Sequence, residues 1–484
     1  MKRRRGYIIG LIAAFSFSVA SCVDDPALSS QEETIESSLS SSSKRSSSRT
    51  VEQTSIDPIA LLNFELNEDG ESYSVSAKGD VIRELKIPST HNGLPVTSIS
   101  RLGFDYCNNL KKIEMPDSIT SVGESAFIGC KSLEEVTLSK NLISLSNSMF
   151  YNCQSLTSID IPSGITSIGN QCFYQCYELK SITIASTVTS IGEEAFYNDC
   201  GLQTLNIPNG TISIADKAFY GCSGLVSTIL GETLSSIGEA AFGKCYRLVE
   251  VVNKSSLPLE AGSYEYGGVA FMAKEVVSDE SHMRVSFGLL KDMITYNERG
   301  FLWLVSYDGL IKDRITIPNG IEGINDHCFN ASYPSPLSVL TEVRIPDSVT
   351  IIGSSSFYDC ESLSRINFPR SLTSIGKSAF HGCKALTELT LPTGLTSIGD
   401  YAFSYCQHLR VITLPNTLTS IGEYVFQHSS DLEIINYQGT IEEWEAVEKA
   451  TNWYWLAGGR AQTVTCTNGS VPVVPPPADS SSQN

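Results

Sequence analysis

The chain is short of the residues on which catalysis and nucleic-acid binding usually rest. Its six histidines (His91, His282, His327, His381, His408 and His428) are scattered, and no HExxH, GxSxG, P-loop or strand-to-helix GxGxxG pattern occurs. A catalytic centre needs a nucleophile with a base, a carboxylate pair or convergent ligands at irregular positions, and none can be read here. Positive charge is also scarce: 34 Lys and Arg stand against 53 Asp and Glu, a net charge of −19, or −23 without the first 21 residues and their four cations. That balance excludes a phosphate backbone as partner, because such binding needs cations in excess. No CxxC pair occurs among the 14 cysteines, no EF-hand loop is present, and after the N-terminal segment no apolar run could cross a bilayer.

What the chain has is a period. Phe104, Phe127, Phe150, Phe173, Phe196, Phe219 and Phe242 are evenly spaced, and so are Phe357, Phe380, Phe403 and Phe426, each one twenty-three positions after the last. A period of this size kept over many copies predicts a solenoid in which each copy is one coil stacked on the next. Within a coil counted from Phe380, apolar residues fall at Cys383, Leu386, Leu389, Leu391, Leu395 and Ile398. Leu389 and Leu391 alternate with Glu388 and Thr390, the pattern of a strand with one buried face. Pro392 closes that strand, having no N–H to donate. The Thr-Ser-Ile-Gly segment reads as a second short extended piece whose Gly takes a positive φ at the bend. The KSAF, DYAF and EYVF segments are too short for an independent helix and read as one helical or 3-10 turn each.

Cysteine follows the same phase. Cys107, Cys130, Cys153, Cys176, Cys222, Cys245, Cys360, Cys383 and Cys406 lie three residues after a repeat Phe, and Cys200 is displaced by one. With coils about 4.8 Å apart, these predict a ladder of reduced thiols filling the core as small hydrophobes; some disulfides or a metal cluster are the alternative. The outward strand positions are Lys112 and Glu114, Glu135 and Thr137, Ser158 and Asp160, Ser181 and Thr183, Thr204 and Asn206, Arg365 and Asn367, Glu388 and Thr390, and Val411 and Thr413. These are expected to line one continuous face able to hold an extended partner through many weak contacts. Taken singly, each is also what an exposed strand prefers.

From about residue 80 to 466 the pattern resembles the leucine-rich repeats, of this same length, in the BspA-like, treponemal-type class of bacterial surface proteins. The fold expected is a leucine-rich repeat solenoid with an N-terminal hairpin cap and a C-terminal cap carrying a short helix. Residues 1–21 read as an export signal, with a basic start, an apolar middle and small residues before Cys22. Val19-Ala20-Ser21-Cys22 resembles a lipobox, which implies that Cys22 is lipidated and anchors the protein to the bacterial envelope, at the outer membrane or cell surface; the alternative is ordinary cleavage with Cys22 incidental.

Residues 22–55, rich in Ser, read as a disordered tether. Residues 56–98 read as N-terminal cap and first coil, with a turn lengthened at His91-Asn92-Gly93. Repeat arrays follow at 99–252 and 311–437, separated by an aromatic-rich insert or irregular coils at 253–310 that contains a two-stranded hairpin. A smaller insertion at 331–338 lengthens one spacing, from Phe329 to Phe357, to twenty-eight positions. The C-terminal cap spans 438–467, with Ile441, Trp444 and Val447 on one helical side and the aromatic cluster Trp453, Tyr454 and Trp455 as a lid; a carbohydrate platform is the alternative. A tail at 468–484 is expected to be unstructured.

No cofactor is implied. The function the resemblance implies is adhesion or protein binding at the cell surface, toward a host extracellular-matrix protein or another bacterial surface protein. Its rivals are an envelope scaffold facing the periplasm and an enzyme with its site in the 253–310 insert. His381, His408 and His428 sit on turns and read as solvated side chains.

Overall fold

The computed structural model describes residues 58–80, 82–290, 293–307, 313–331, 336–454 and 460–473, all within one unit of the chain. Cys22, the expected signal and tether, Trp455 and the chain from 474 onward lie outside the described residues. Most coils contribute two short parallel strands. In the coil of Phe380 these are Glu388–Thr390 and Ser397–Ile398; they pair with Val411–Leu414 and Ser420–Ile421 of the next coil, at offsets of one period. Leu389, Leu391, Leu395 and Ile398 are buried while Glu388 and Thr390 are exposed. The alternation in sequence is therefore the alternation of the pleat. In the coil lengthened after Phe329 the strands still pair in phase, Arg314 opposite Glu342, because the extra residues leave the coil between its strands and not within them.

The repeat Phe rings form two rows of parallel stacked rings. In the first, Phe104, Phe127, Phe150, Phe173, Phe196, Phe219 and Phe242 follow one another with neighbouring centroids 5.0 to 5.4 Å apart. In the second, Phe329, Phe357, Phe380, Phe403 and Phe426 are 5.1 to 6.1 Å apart. Phe127, Phe150, Phe173, Phe196 and Phe219 are fully buried, so these rings hold the stack together and offer no contact to a ligand. Beside each row run the thiols, free and almost all buried. They do more than fill space. Cys130 Sγ donates to Phe104 O at 3.0 Å, and Cys153, Cys176, Cys222, Cys245, Cys360, Cys383 and Cys406 donate likewise at 3.2 Å to the carbonyl of the preceding coil's Phe. Ser429 does the same at the end of the row, 2.8 Å from Phe403 O. A weak donor thus satisfies a buried acceptor in almost every coil.

Two local expectations are corrected. The glycines of Ser-Ile-Gly do not take positive φ; they are required by close approach. A Cβ on Gly169 would stand 2.7 Å from Asn147 N, and one on Gly399 2.6 Å from Lys377 N. The positive φ falls instead two residues before each Phe, at Ser125, Ser148, Gln171, Glu194, Lys217, Ala240, Ser355, Ser378, Tyr401 and Tyr424, with φ of 49° to 56°. A left-handed residue cannot continue a helical turn, so the segment before Phe is a non-helical turn. Its backbone bonds run to the next coil: Ser378 N donates to Asp400 O at 2.7 Å and Phe380 N to Ala402 O at 2.8 Å.

The first array begins on the antiparallel hairpin Leu62–Leu66 and Tyr73–Ala77. The second ends under the six-residue helix Ile441–Ala446, held by a Thr440/Glu443 capping box. Trp444 and Trp453 are buried there, with Trp453 edge-on to Phe426 at 6.2 Å, which is the contact of a lid. The sequence predicts an unstructured tail from 468, but Gly469–Pro472 pairs antiparallel with Thr463–Cys466, because the ladder's last strand still has an open edge.

Between the arrays, residues 254–277 form one irregular coil. Gly267 O accepts from Phe242 N at 2.8 Å, and Glu275–Val277 extends the strand ladder. A three-stranded antiparallel meander follows, Val285–Leu290, Met293–Glu298 and Phe301–Tyr307, one strand more than the expected hairpin. Its last strand pairs parallel with Gly323–Ile324 and so starts the second Ser-Ile ladder.

The coil of Phe196 interrupts the thiol row. Asp199 occupies the ladder position after Phe196 and is wholly buried; its Oδ1 accepts from Cys176 N at 2.8 Å, but its Oδ2 has no partner. Burial holds its carboxyl well above the usual carboxylate range. Below about pH 4 both folded and unfolded forms are protonated. As pH rises past that value the unfolded chain ionises while the folded chain resists, so stability falls until the folded carboxyl also titrates.

Three outcomes follow from this packing. Asp199→Asn raises stability at neutral pH by roughly 1–3 kcal/mol, because an amide gains no charge in the unfolded chain that burial must then remove, and it removes the loss of stability above pH 4 in denaturant melts taken across pH. Phe380→Ala lowers stability by about 3–5 kcal/mol, read as an earlier urea midpoint. Gly399→Ala lowers it by roughly 1–3 kcal/mol through overpacking, although an alanine would be neutral or favourable if the glycine served only as a loose bend.

Candidate functional site

All sixteen outward strand residues carry solvent-accessible side chains. Glu135, Thr137, Ser158, Asp160, Ser181, Thr183, Thr204, Asn206, Arg365, Asn367, Glu388 and Thr390 are exposed, and Lys112, Glu114, Val411 and Thr413 are half-buried. They project outward because the residue between each pair points into the core. The face they form is not continuous. Strand pairing is absent between Glu135–Thr137 and Ser158–Asp160, between Ser181–Thr183 and Thr204–Ile207, and between Arg365–Asn367 and Glu388–Thr390. In each case the central residue before the break, Val136, Ile182 or Ile366, is only half-buried. Without a paired strand on that side it is left partly uncovered.

The face is also covered at one place by the chain itself. Where the first array ends, the equivalent residues Ser227 and Glu250 are buried. Val226 and Val249 pack there with Ile294, Tyr296 and Val305 of the meander, and Glu250 Oε1 accepts from Arg284 N. Arg247 of the same array donates to His327 O at 3.0 Å and Cys328 O at 3.1 Å, while Tyr246 stacks on the His327 ring at 4.1 Å. Buried beside that guanidinium, His327 is driven down to about 3 and stays neutral. Other side chains of the insert bond to one another. Arg284 pairs with Glu275 at 2.7 Å, Trp303 Nε1 donates to Glu298 at 2.8 Å, and Lys274 lies 3.9 Å from the centre of the Trp303 ring. Among the described residues no three His, Cys, Asp or Glu side chains converge to hold a metal ion.

The ladder thiols are poor nucleophiles, since reactivity needs the thiolate. Burial pushes Cys107 up to about 11 and Cys406 up to about 12. Of the histidines expected on turns, His408 and His428 are exposed, but His381 is not a solvated side chain. Its ring stacks on Tyr358 at 4.4 Å and its Nδ1 bonds Ser404 Oγ. Burial first, then the charge of His428, lowers it to about 4.

Electrostatically the face is a patchwork. Lys112 pairs with Glu135 at 2.8 Å, and near the C-terminal end Arg410 and Arg460 share Glu433, each at 3.2 Å. The strongest cluster was not among the residues expected from the sequence. Arg314, Glu342 and Arg344 stand on the strands Arg314–Thr316 and Glu342–Arg344, next to Arg365 in the ladder. Arg314 follows the irregular insert and Glu342 and Arg344 follow the smaller insertion, so neither strand falls at the regular distance from a repeat Phe; the motifs RITIPNG and EVRIPDS carry the signal that could have found them.

The repeat geometry agrees with comparison to known sequences. The family described as BspA type Leucine rich repeat region matches in six copies, over residues 97–226, 189–264 and 336–447, which together are more than half of the chain. Nothing among curated proteins matches it. Similar solved structures include a leucine-rich cell surface protein of Faecalibacterium prausnitzii, 25% identical over 80% of this chain and 96% of that one, with a TM-score of 0.36. A leucine-rich repeat protein of T. pallidum is 28% identical over 40% of this chain and 90% of its own, TM-score 0.37. One of Bacteroides ovatus is 22% identical over 82% and 97%, TM-score 0.38. With a regular coil, its Phe row and the matched repeats all in one phase, the chain belongs to the BspA-type leucine-rich repeat family.

Proposed function

We propose that the protein is exported, held to the bacterial envelope by a lipid on Cys22, and uses its outward strand face to bind proteins at the cell surface. The observation that carries the reading is the contrast between the two sides of each strand: the inward residues pack in or against the core, while the outward row carries hydroxyls, amides and charges that the fold itself does not require. Such a row suits an extended partner contacted at many points. The spread of both charge signs favours a protein over a nucleic acid. A host extracellular-matrix protein or a surface protein of another bacterium is the partner class that this family membership suggests.

The meander supports the same reading from within the chain. A β-rich polypeptide segment is seated on the outward side of the first array's last coils through Tyr296, Ile294 and Val305. That side can therefore accept polypeptide when its own residues turn apolar.

Mild protease treatment of intact cells is expected to remove the protein, and Cys22→Ser is expected to release it from the membrane fraction. Full protection of the native protein on intact cells would reject surface display in favour of a scaffold inside the envelope. The full chain is further expected to bind immobilised matrix protein saturably, in a manner weakened by salt.

A further inference from the structure

In four successive coils of the first array the residue after the repeat Phe is tyrosine. Tyr151, Tyr174, Tyr197 and Tyr220 stack ring on ring, with neighbouring centroids 4.5, 4.8 and 5.0 Å apart and interplanar angles of 2°, 5° and 13°. All four are half-buried, while the Phe before each is fully buried. Backbone bonds between coils fix the register of the row. Asn152 N donates to Tyr174 O at 2.7 Å, Gln175 N to Tyr197 O at 2.8 Å and Asn198 N to Tyr220 O at 2.7 Å. The coil itself does not demand tyrosine here, since the equivalent residues of the second array are Asn330, Tyr358, His381, Ser404 and Gln427.

Stacked phenols one coil apart are arranged for oxidative coupling. Loss of one electron and one proton turns a phenol into a phenoxyl radical, and two such radicals join through the ring carbons beside their oxygens. The rings must be together while the radicals last, and the fold supplies that proximity in advance. Of the three gaps, that between Tyr151 and Tyr174 is the narrowest and the most nearly parallel. Cations stand at competing rings. Lys244 Nζ is 5.4 Å from the centre of Tyr220, and in the second array, where Tyr401 and Tyr424 stack at 5.1 Å, Lys377 Nζ is 5.8 Å from Tyr401. A cation over a ring is held by its π electrons and opposes removal of one of them. An electron vacancy formed on Tyr197 or Tyr220 therefore moves along the row toward Tyr151 and Tyr174.

We propose that Tyr151 and Tyr174 are an oxidative modification site, at which hydrogen peroxide and a haem peroxidase join the two rings by a carbon–carbon bond. Each phenol gives up one hydrogen atom and becomes a phenoxyl radical. The ring carbons ortho to the two oxygens then bond, and each passes its hydrogen as a proton to its own oxygen, which restores both phenols. The two hydrogen atoms removed reduce one peroxide to two waters. The bond ties the coils of Phe150 and Phe173 together one period apart and restricts the unfolded chain as a disulfide does. Those are the coils whose outward strands, Ser158–Asp160 and Ser181–Thr183, form a sheet of two strands alone, so the link reinforces the stack where its outward ladder is interrupted on both sides. The proposal does not depend on which partner the outward face binds.

The test treats the dilute full chain with hydrogen peroxide and a haem peroxidase, then reduces and alkylates its thiols and digests it with trypsin for mass spectrometry. Cleavage after Lys140 and Lys180 leaves both rings on one fragment. That fragment is expected to be lighter by two hydrogen atoms, with fragment ions joining Tyr151 to Tyr174, and the treated chain to show dityrosine fluorescence. Reduction removes any disulfide among Cys153, Cys172 and Cys176, which would change the mass equally. Tyr151→Phe and Tyr174→Phe each keep a ring in the stack and are expected to lose the linked fragment with thermal melts unchanged, while Tyr401→Phe keeps it. An unmodified fragment from the native chain, a link that survives Tyr151→Phe, coupling found only between separate chains, or coupling of another pair of tyrosines in its place would each overturn the proposal.

Discussion

Contact between equivalent residues of successive coils is the interaction on which this structure depends. Each coil is too small to bury its own apolar residues, and its neighbours bury them instead. Phe stacks on Phe, Ser-Ile pairs with Ser-Ile, and the turn before each Phe bonds to the same turn in the next coil. The ladder therefore selects for sameness. A residue that differs from its equivalents breaks that sameness, as Asp199 in the thiol row does, with one carboxylate oxygen on Cys176 N and the other unpartnered.

Sameness also explains choices that look arbitrary within one coil. A cysteine next to the Phe row is small enough to stack and still offers a donor to the Phe carbonyl one coil back. Serine satisfies that need in the last regular coil. The left-handed residue before each Phe costs roughly 1 kcal/mol or more by itself, yet it turns an N–H straight toward the next coil, where a carbonyl accepts it. Local strain is offset by a bond that only stacking can supply.

The two arrays do not share a single Phe row. The first closes on an irregular coil and the meander, and the second starts from the meander's last strand. The same three strands thus end one ladder, nucleate another, and cover part of the outward face with Tyr296, Ile294 and Val305. Arg247, reaching two carbonyls of the second array, fixes that joint with donors that would otherwise be buried and unsatisfied.

Much of this was legible in the sequence, and for a physical reason. A repeat whose copies contact only their neighbours writes its long-range contacts as a short-range period. The even spacing of Phe127, Phe150, Phe173 and Phe219 with their equivalents therefore already specified which rings would touch. The alternation around Leu389 likewise specified which side chains face outward. Tertiary structure alone decided the rest. The thiol-to-carbonyl bonds, the close approach at Gly169 and Gly399, and the left-handed turns depend on distances between coils that no pattern of residue types encodes. The meander that covers part of the outward face and the cluster of Arg314, Glu342 and Arg344 arise where the period lapses, and the breaks that divide that face fall even where it holds. There the outcome is set by packing between particular residues, which periodicity does not describe.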